Sequence, residues 1–251
     1  MYRLLVVICA LALSRDVLAQ PAGQPAPQET KPSQDREGED LWKKCRANDP
    51  DARLAACTTL IDAGREAPAE LASAYYARGV AYRLKSLFPL ALDDFNAAIK
   101  ANQALTDAYG DRGITLTILG RFTDAIPDFT HVIEIYPKLA YAYYNRGICY
   151  ELLGLDDLAL DDISSAIAIE PRGEYRYERR GTIYFRKNRL DEALADYEQA
   201  LVINPQYAAA LYGRGIILTK KGDLAGGGAD VAAAIRFRPN IAAEMARAGV
   251  K

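Results

Sequence analysis

The sequence predicts an all-α fold of stacked helix pairs, and three observations lead to that fold class. Five glycines lie 34 residues apart, and an arginine precedes each one. Each repeat holds two apolar-periodic segments around a short break, as in Ala140 to Pro171. A proline ends the second segment of most repeats. Periods of roughly 20–50 residues are typical of stacked repeat proteins. The arginine–glycine pairs are Arg78–Gly79, Arg112–Gly113, Arg146–Gly147, Arg180–Gly181 and Arg214–Gly215.

The composition is that of an ordinary globular protein with enough apolar material for a core. The chain has 251 residues, of which 50% are hydrophobic and 25% charged, and its net charge is −2. No basic excess points to nucleic acid, so we expect no nucleic-acid partner. The single histidine, His131, makes histidine-dependent catalysis and most metal sites poor candidates.

Residues 1–19 are interpreted as a secretory signal peptide. Arg3 gives a basic start, Leu4 to Leu13 is an apolar run, and Val17-Leu18-Ala19 has a small-residue cleavage pattern. The apolar run is too short for a stop-transfer helix. We therefore expect secretion across the inner membrane into the periplasm, with no stable membrane insertion after cleavage. An uncleaved N-terminal anchor is the alternative.

Two further segments precede the regular repeats. Residues 20–37 hold four prolines and no large apolar residue, which indicates a disordered linker, with a proline-rich ligand motif as the alternative. Residues 38–71 are predicted to form an N-terminal helical cap, a degenerate repeat with helices around 39–47 and 50–63. Asn48-Asp49-Pro50 is the start pattern of the second helix.

Five repeat units then follow over 72–239, and a short helix closes the chain over 240–251. The last unit has three consecutive glycines, Gly226 to Gly228, which should weaken its second helix. In the closing helix we expect Asn240 to be the N-cap, and Ile241 and Met245 to cover the last apolar face. The five units are 72–105, 106–139, 140–173, 174–207 and 208–239.

The register within the units resembles the tetratricopeptide repeat (TPR) family. A large residue, Gly and a large residue occupy places four, eight and eleven, and a small residue, a large residue and Pro occupy places twenty, twenty-four and thirty-two. The central unit shows it at Tyr143, Gly147, Tyr150, Ala159, Ile163 and Pro171. The resemblance, which extends to small exported proteins of Gram-negative bacteria, implies antiparallel helix pairs in a right-handed superhelical solenoid. It also implies that the first helices line a groove that binds peptides or partner proteins.

The resemblance also indicates which residues line that groove, because places two, five, nine and twelve of each first helix face it in this family. The lining would be rich in tyrosine, which offers contact area and a hydroxyl group. The alternative is that several of these tyrosines pack between neighbouring helices. The Lys and Asn with which chaperone-binding members hold a terminal carboxylate are absent. The predicted groove residues are Tyr76, Arg83, Tyr141, Tyr144, Ile148, Glu151, Tyr175, Glu178, Phe185 and Tyr212.

The cysteines predict one disulfide. Cys45 and Cys57 have the same spacing as Gly79 and Ala91, places at which paired helices should approach each other closely. A disulfide at this position suits an exported protein. Two buried thiols are the alternative. Cys149 is expected to be a buried apolar residue, and we expect no metal site.

A charge pattern repeats with the same period. Every unit has Asp at place twenty-three, so each helix pair offers one Arg and one Asp. We interpret these as structural Arg–Asp ion pairs, with an electrostatic binding strip as the alternative. The aspartates are Asp94, Asp128, Asp162, Asp196 and Asp230.

No pattern in the sequence indicates catalysis or a cofactor. We find no nucleophile paired with a base and no phosphate-binding glycine loop. The sequence therefore favours a non-enzymatic interaction scaffold of the cell envelope that binds a peptide or protein in its groove. The alternative is a structural protein that forms homo-oligomers through its convex face or last repeat.

Overall fold

The computed structural model describes residues 32–64 and 66–251, with side chains from residue 37 onward. The predicted signal peptide and linker residues 20–31 lie outside the described residues. Thirteen helices and no strands make up the described part, which confirms the all-α helical repeat fold. The described residues divide into two compact units, unit 1 up to Ile135 and unit 2 from Tyr136 to Lys251.

Unit 1 holds six of these helices and unit 2 holds seven. The helices of unit 1 are α1 (Pro32–Cys45), α2 (Pro50–Ala63), α3 (Pro68–Leu84), α4 (Phe88–Ala101), α5 (Thr106–Ile118) and α6 (Phe122–Ile135). Those of unit 2 are α7 (Ala140–Leu152), α8 (Asp156–Ile169), α9 (Glu174–Arg186), α10 (Leu190–Ile203), α11 (Ala208–Lys220), α12 (Leu224–Phe237) and α13 (Ile241–Arg247).

Helix α1, the first helix of the cap, and helix α3, the first helix of the first repeat, begin earlier in the chain than the sequence predicts. Helix α1 begins at Pro32, inside the stretch expected to be a linker, and α3 begins at Pro68 rather than near Ala72. At α3 the Glu70 carboxylate accepts a hydrogen bond from the Ala67 backbone N–H at 3.3 Å, which satisfies one donor at the helix start. Helix α2 has the expected start, because Asp49 accepts hydrogen bonds from two backbone N–H groups and Pro50 follows it.

The Cys45–Cys57 disulfide is confirmed. It joins the last residue of α1 to the middle of α2, with 4.8 Å between the two Cα atoms. Both cysteines are fully buried with Ala56, Leu60 and Ala74, so the disulfide lies inside a small apolar cluster of unit 1. It therefore holds α1 against the helices that follow.

Replacing both Cys45 and Cys57 with Ala is expected to lower the free energy of unfolding of unit 1 by about 3 kcal/mol. The reason is that the disulfide restricts a short loop of the unfolded chain. Urea unfolding followed by helical circular dichroism, with the wild type under oxidising and reducing conditions, measures the difference. The buried Cys149→Ala is the matched control, and an equal loss in that variant would contradict the account.

The two helices of each of the five repeats are joined by a turn with one residue in left-handed backbone conformation. In the first and fourth repeats this place is held by Ser86 (φ 60°) and Asn188 (φ 58°), and in the others by glycine. The next residue donates its N–H to a carbonyl five residues earlier, as Leu155 does to Tyr150 at 2.9 Å. This Schellman-type ending explains the break between the segments of each repeat. The five turn residues are Ser86, Gly120, Gly154, Asn188 and Gly222.

The recurring mid-helix glycine allows close approach of the paired helix, as the spacing suggested, and its neighbours are the large residue of place twenty-four as well as the expected residue of place twenty. A Cβ on Gly79 would lie 2.8 Å from the Phe95 ring, and one on Gly147 would lie 3.0 Å from Ile163. These are residues of place twenty-four, while the residue of place twenty contributes its backbone carbonyl in the third, fourth and fifth repeats. The large residue of the second helix therefore packs directly on the glycine.

The Arg–Asp ion pairs are structural, which confirms the interpretation of the charge pattern. In each of the five repeats the arginine binds the aspartate of the same helix pair through Nε and Nη2. Tyrosine rings flank several of these guanidinium groups, as Tyr75 and Tyr82 flank Arg78. The third nitrogen can reach the preceding pair, since Arg180 Nη1 donates to Ser164 Oγ at 3.0 Å. Each arginine thus links helices within its pair.

Alanine substitutions at two neighbouring glycines of α12 are expected to change the stability of the protein in opposite directions. A Cβ on Gly228 would meet nothing within 4 Å, so Gly228→Ala should stabilise by about 1 kcal/mol through helix propensity. A Cβ on Gly227 would contact the Thr219 hydroxyl and lie 2.7 Å from the Gly215 carbonyl oxygen. Gly227→Ala should therefore destabilise by about 1–3 kcal/mol. Thermal unfolding of the two variants checks the difference in sign, and equal shifts would contradict it.

The closing helix forms as α13, but Asn240 is not its side-chain cap. Asn240 has φ −92° and ψ 6°, outside the extended region that a capping side chain needs, and its side chain makes no cap hydrogen bond. Ile241 and Met245 are buried, as expected. Within the described residues, no helix is both long and apolar enough to span a membrane.

Candidate partner-binding surface

The candidate surface of unit 2 is built on its three first helices, α7, α9 and α11. We define the inner face of unit 2 as the residues at places two, five, nine and twelve of these three helices, together with the neighbouring residues that contact them. Tyr144 on α7 and Tyr175 on α9 meet edge to face, with 5.0 Å between ring centroids. Two of the predicted groove residues therefore lie in direct contact across neighbouring first helices.

Glu151 is the electrostatic centre of this face. Its side chain is 7% exposed and accepts hydrogen bonds from Arg179 Nη1 at 3.2 Å and from Arg186 Nη1 at 2.7 Å. Arg186 also donates through Nη2 to Asp156 at 2.9 Å. Burial by itself would lower the pKa of Arg179, but Glu151, Tyr144 and Glu178 together raise it well above its usual value. Both arginines therefore stay charged and fixed in place.

A second polar chain runs from this face into the core of unit 2. Thr182 donates to Glu178 Oε1 at 3.0 Å, and the Thr182 and Tyr197 hydroxyl groups lie 3.1 Å apart. Burial raises the pKa of Glu178, and the nearby cations Arg179 and Arg238 oppose the rise. Tyr197 is fully buried, and burial also raises its pKa. Glu178 is thus linked to α10 through the hydroxyl groups of Thr182 and Tyr197, and it also belongs to the inner face of unit 2.

The inner side of unit 1 has its own polar triad, Tyr76, Arg83 and Asp111. The Tyr76 hydroxyl donates to Asp111 Oδ2 at 2.9 Å, and Arg83 Nη2 lies 3.1 Å from Asp111 Oδ1. Arg83 is 5% exposed, and its Nε has no hydrogen-bond partner. Burial, together with the charge of Asp111, raises the pKa of Asp107. Predicted groove residues Tyr76 and Arg83 therefore hold α3 against α5.

The same constellation occurs in unit 2 with its charges inverted. Tyr144, Glu151 and Arg179 occupy the repeat places of Tyr76, Arg83 and Asp111, and Glu151 pairs with Arg179 as Arg83 pairs with Asp111. In both cases the residue of place twelve pairs with the residue of place six of the next repeat, 28 residues later. Asp111, Arg179 and Arg186 were missed as functional candidates. Opposite charges at this spacing are the sequence feature that could have found the first two.

The burial of the predicted groove residues separates them into two groups. Arg83, Tyr144, Ile148 and Phe185 are buried, with Ile148 only 2% exposed, so their side chains pack against protein rather than line an open groove. Among the tyrosines, Tyr144 therefore fits the packing alternative rather than the groove interpretation. The half-buried ones are Tyr76, Tyr141, Tyr175, Glu178 and Tyr212, whereas the side chain of Glu151 is only 7% exposed.

The chemistry of the described residues gives no indication of a metal centre. In this part of the chain no group of three or more His, Cys, Asp and Glu side chains could hold a metal ion. His131 stacks on Tyr109, with 4.0 Å between ring centroids. Cys149 is fully buried on α7.

Comparison with known families agrees with the repeat geometry. A family described as tetratricopeptide repeat matches residues 112–174, and one described as TPR repeat matches residues 181–222. The chain is a tetratricopeptide repeat protein. The matched residues include three of the five arginine–glycine pairs and the turn residues Gly120, Gly154, Asn188 and Gly222. No curated protein matches the chain.

Solved structures of other TPR proteins share the fold. MamA matches with a TM-score of 0.60 and 23% identity, over 66% of this chain and 96% of that chain. YrrB, a TPR protein with an unusual peptide-binding site, matches with a TM-score of 0.61 and 18% identity, over 76% and 98%. A thermophilic TPR protein of Thermus thermophilus matches with a TM-score of 0.54 and 21% identity, over 72% and 100%. At these identities the likeness concerns the fold.

Proposed function

We propose that this TPR protein is a non-enzymatic interaction scaffold that binds a peptide or protein segment on the inner face of unit 2. One observation carries the proposal: half-buried tyrosines from three successive first helices, Tyr141, Tyr175 and Tyr212, accompany the fixed charges of Glu151 and Arg179. Tyrosine and arginine are the residues that most often dominate interface energy. Fixed charges beside them would select the register of a bound segment. YrrB, with its peptide-binding site, shares this fold.

The proposed location is the periplasm, after removal of residues 1–19. The buried Cys45–Cys57 disulfide supports it, because structural disulfides persist in oxidising compartments. Fractionation of the source cells with an antibody against the chain tests this part. Recovery of the chain with intact thiols in the cytosolic fraction would contradict it.

Capture from an envelope extract of the source cells tests the binding surface. The double variant Tyr175→Ala with Tyr212→Ala is expected to lose captured partners that the wild type retains. Tyr136→Ala is the matched control, because Tyr136 belongs to unit 2 and is 48% exposed outside the predicted groove. Unchanged capture by the double variant, with its fold intact by circular dichroism, would exclude the inner face as the binding surface.

Self-association is the second candidate function, and the exposed apolar residues of the last repeat favour it. Leu224 is 69% exposed and Phe237 is 40% exposed, both on α12. Such residues can form an interface between copies. Light scattering over a range of concentrations separates the candidates: a constant monomer mass supports the scaffold, whereas a mass that rises with concentration and falls in Leu224→Lys supports self-association.

A further inference from the structure

The C-terminal segment of unit 2, residues 240–251, lies closer to the first helices than a simple end cap requires. Helix α13 packs more extensively on α11, the first helix of the last repeat, than on α12. Ile241, Met245 and Val250 are buried in the apolar cluster of unit 2, which contains residues of α9, α10, α11 and α12, Phe185 of α9 among them. The segment therefore lies against the first helix of the last repeat and shares its apolar cluster with the preceding repeat.

One contact places the end of the segment on α9. Gly249 lies so close to Arg186 of α9 that a Cβ there would be 2.9 Å from its Cγ and Cδ atoms. Just before α13, Arg238 donates to Glu244 of α13 at 3.2 Å. Arg186 is part of the inner face of unit 2, because it binds Glu151. The segment thus meets α9 at Arg186.

Local structure explains how the last residues are held. Gly249 has φ +93°, and the Val250 N–H donates to the Met245 carbonyl at 2.9 Å, which is a Schellman ending of α13. This turn brings Val250 back beside Met245, and Val250 is 0% exposed. The aliphatic part of Arg186 forms the wall against which Gly249 packs. The seated segment therefore presents apolar side chains at three defined positions.

Residues 240–251 also have properties that favour their displacement from the inner face of unit 2. Helix α13 has seven residues, too few for an isolated helix to be stable, so its helical conformation depends on its packing against unit 2. Terminal elements of this kind open locally at low free-energy cost. Because it is tethered, its effective concentration at the inner face is in the millimolar range. A free segment of the same chemistry must compete with that concentration.

We propose that residues 240–251 are a built-in competitor for the inner face of unit 2, and that a partner's amphipathic helix displaces them. The displacing segment has apolar residues at the spacing of Ile241 and Met245, followed by a small residue and an apolar residue in the places of Gly249 and Val250. The identity of the surface as a partner site rests on the proposed function above. The packing of residues 240–251 and their release do not depend on the proposed function.

The test uses the whole chain and a fluorescent synthetic peptide with the sequence of residues 240–251. Val250→Asp in the chain places a carboxylate in the buried seat, so the tethered segment is released and the peptide binds. Its affinity, measured by fluorescence anisotropy, is expected to be at least about tenfold tighter than for the wild type. Gly249→Ala, which brings its Cβ against Arg186, should act in the same direction. Peptide carrying Val250→Asp should not bind.

The matched control is Ala243→Asp, which adds the same carboxylate to α13 at an exposed position. It should leave peptide affinity at the wild-type value. Equal peptide affinity for the wild type, Val250→Asp and Gly249→Ala, with α13 amides exchanging faster only in the last two, would overturn the proposal, because a vacated seat would then not accept the segment. Tightening by Ala243→Asp as large as that by Val250→Asp would also overturn it.

Envelope capture with the same variants keeps this proposal and the proposed function distinguishable. If both hold, Val250→Asp captures more of the partner than the wild type. If peptide binding tightens but neither chain captures a partner through the inner face, the built-in competitor stands and the proposed function fails. If the wild type and Val250→Asp capture a partner equally through Tyr175 and Tyr212, the proposed function stands and the competitor fails.

Discussion

Replacing Asp111 with Asn is expected to lower the free energy of unfolding by about 4 kcal/mol, the largest effect that we expect from a single substitution. Asp111 is the carboxylate of the unit 1 polar triad, where the side chains of Arg83 and Asp111 are 4% and 9% exposed. Without this charge, Arg83 is left as a buried cation whose Nε already has no partner. Tyr76 loses a charged acceptor at the same time.

Asp51→Asn is the matched control for this prediction. Asp51 also belongs to unit 1 and pairs with Lys85, but its side chain is 76% exposed. Exposed pairs contribute little, so the control should lose less than about 1 kcal/mol. Urea unfolding followed by circular dichroism measures both variants. Losses of similar size would show that the triad contributes no more than a surface pair.

Replacing Asp196 with Asn should lower the free energy of unfolding of unit 2 by about 3 kcal/mol, because breaking a buried pair leaves one charge without compensation. Asp196 binds Arg180 through two hydrogen bonds of 2.8 and 2.7 Å, and its side chain is 6% exposed. Burial raises the pKa of this carboxyl while Arg180 lowers it, so the charged form depends on its partner. Urea unfolding of the variant measures the loss.

The control and the double variant decide whether the uncompensated charge causes the loss. Asp191→Asn lies on the same helix, α10, in a pair whose aspartate is 85% exposed, and it should cost less than about 1 kcal/mol. Arg180→Met combined with Asp196→Asn should lose less than the sum of the two single variants. Strict additivity in this double-mutant cycle would contradict the explanation.

The repeat scaffold could be predicted from the sequence because one local pattern recurs at a fixed spacing. The Arg–Asp pairs follow from it, since Arg180 and Asp196 belong to one helix pair and their spacing repeats five times. The Cys45–Cys57 disulfide follows from the same helix geometry. The turn conformation of Ser86 was not predictable in this way, because serine rarely adopts a positive φ.

The candidate surface was only partly predictable because it depends on contacts between repeats. Family places gave Tyr144 and Ile148 as lining residues, but the structure buries both of them. Glu151 was identified without its partners Arg179 and Arg186, which come from a different repeat. The path of residues 240–251 follows from the fit of Val250 beside Met245 and of Gly249 against Arg186, and no periodicity describes it.

The most direct test of the central claim is site-specific photo-crosslinking in the source cells. A benzophenone amino acid replaces Tyr175 on the inner face of unit 2, or Val202, which is 74% exposed on α10, as the control. The account predicts a crosslink to a different protein from position 175 and none from position 202. Crosslinks from position 202 alone, or only to a second copy of this chain, would contradict it.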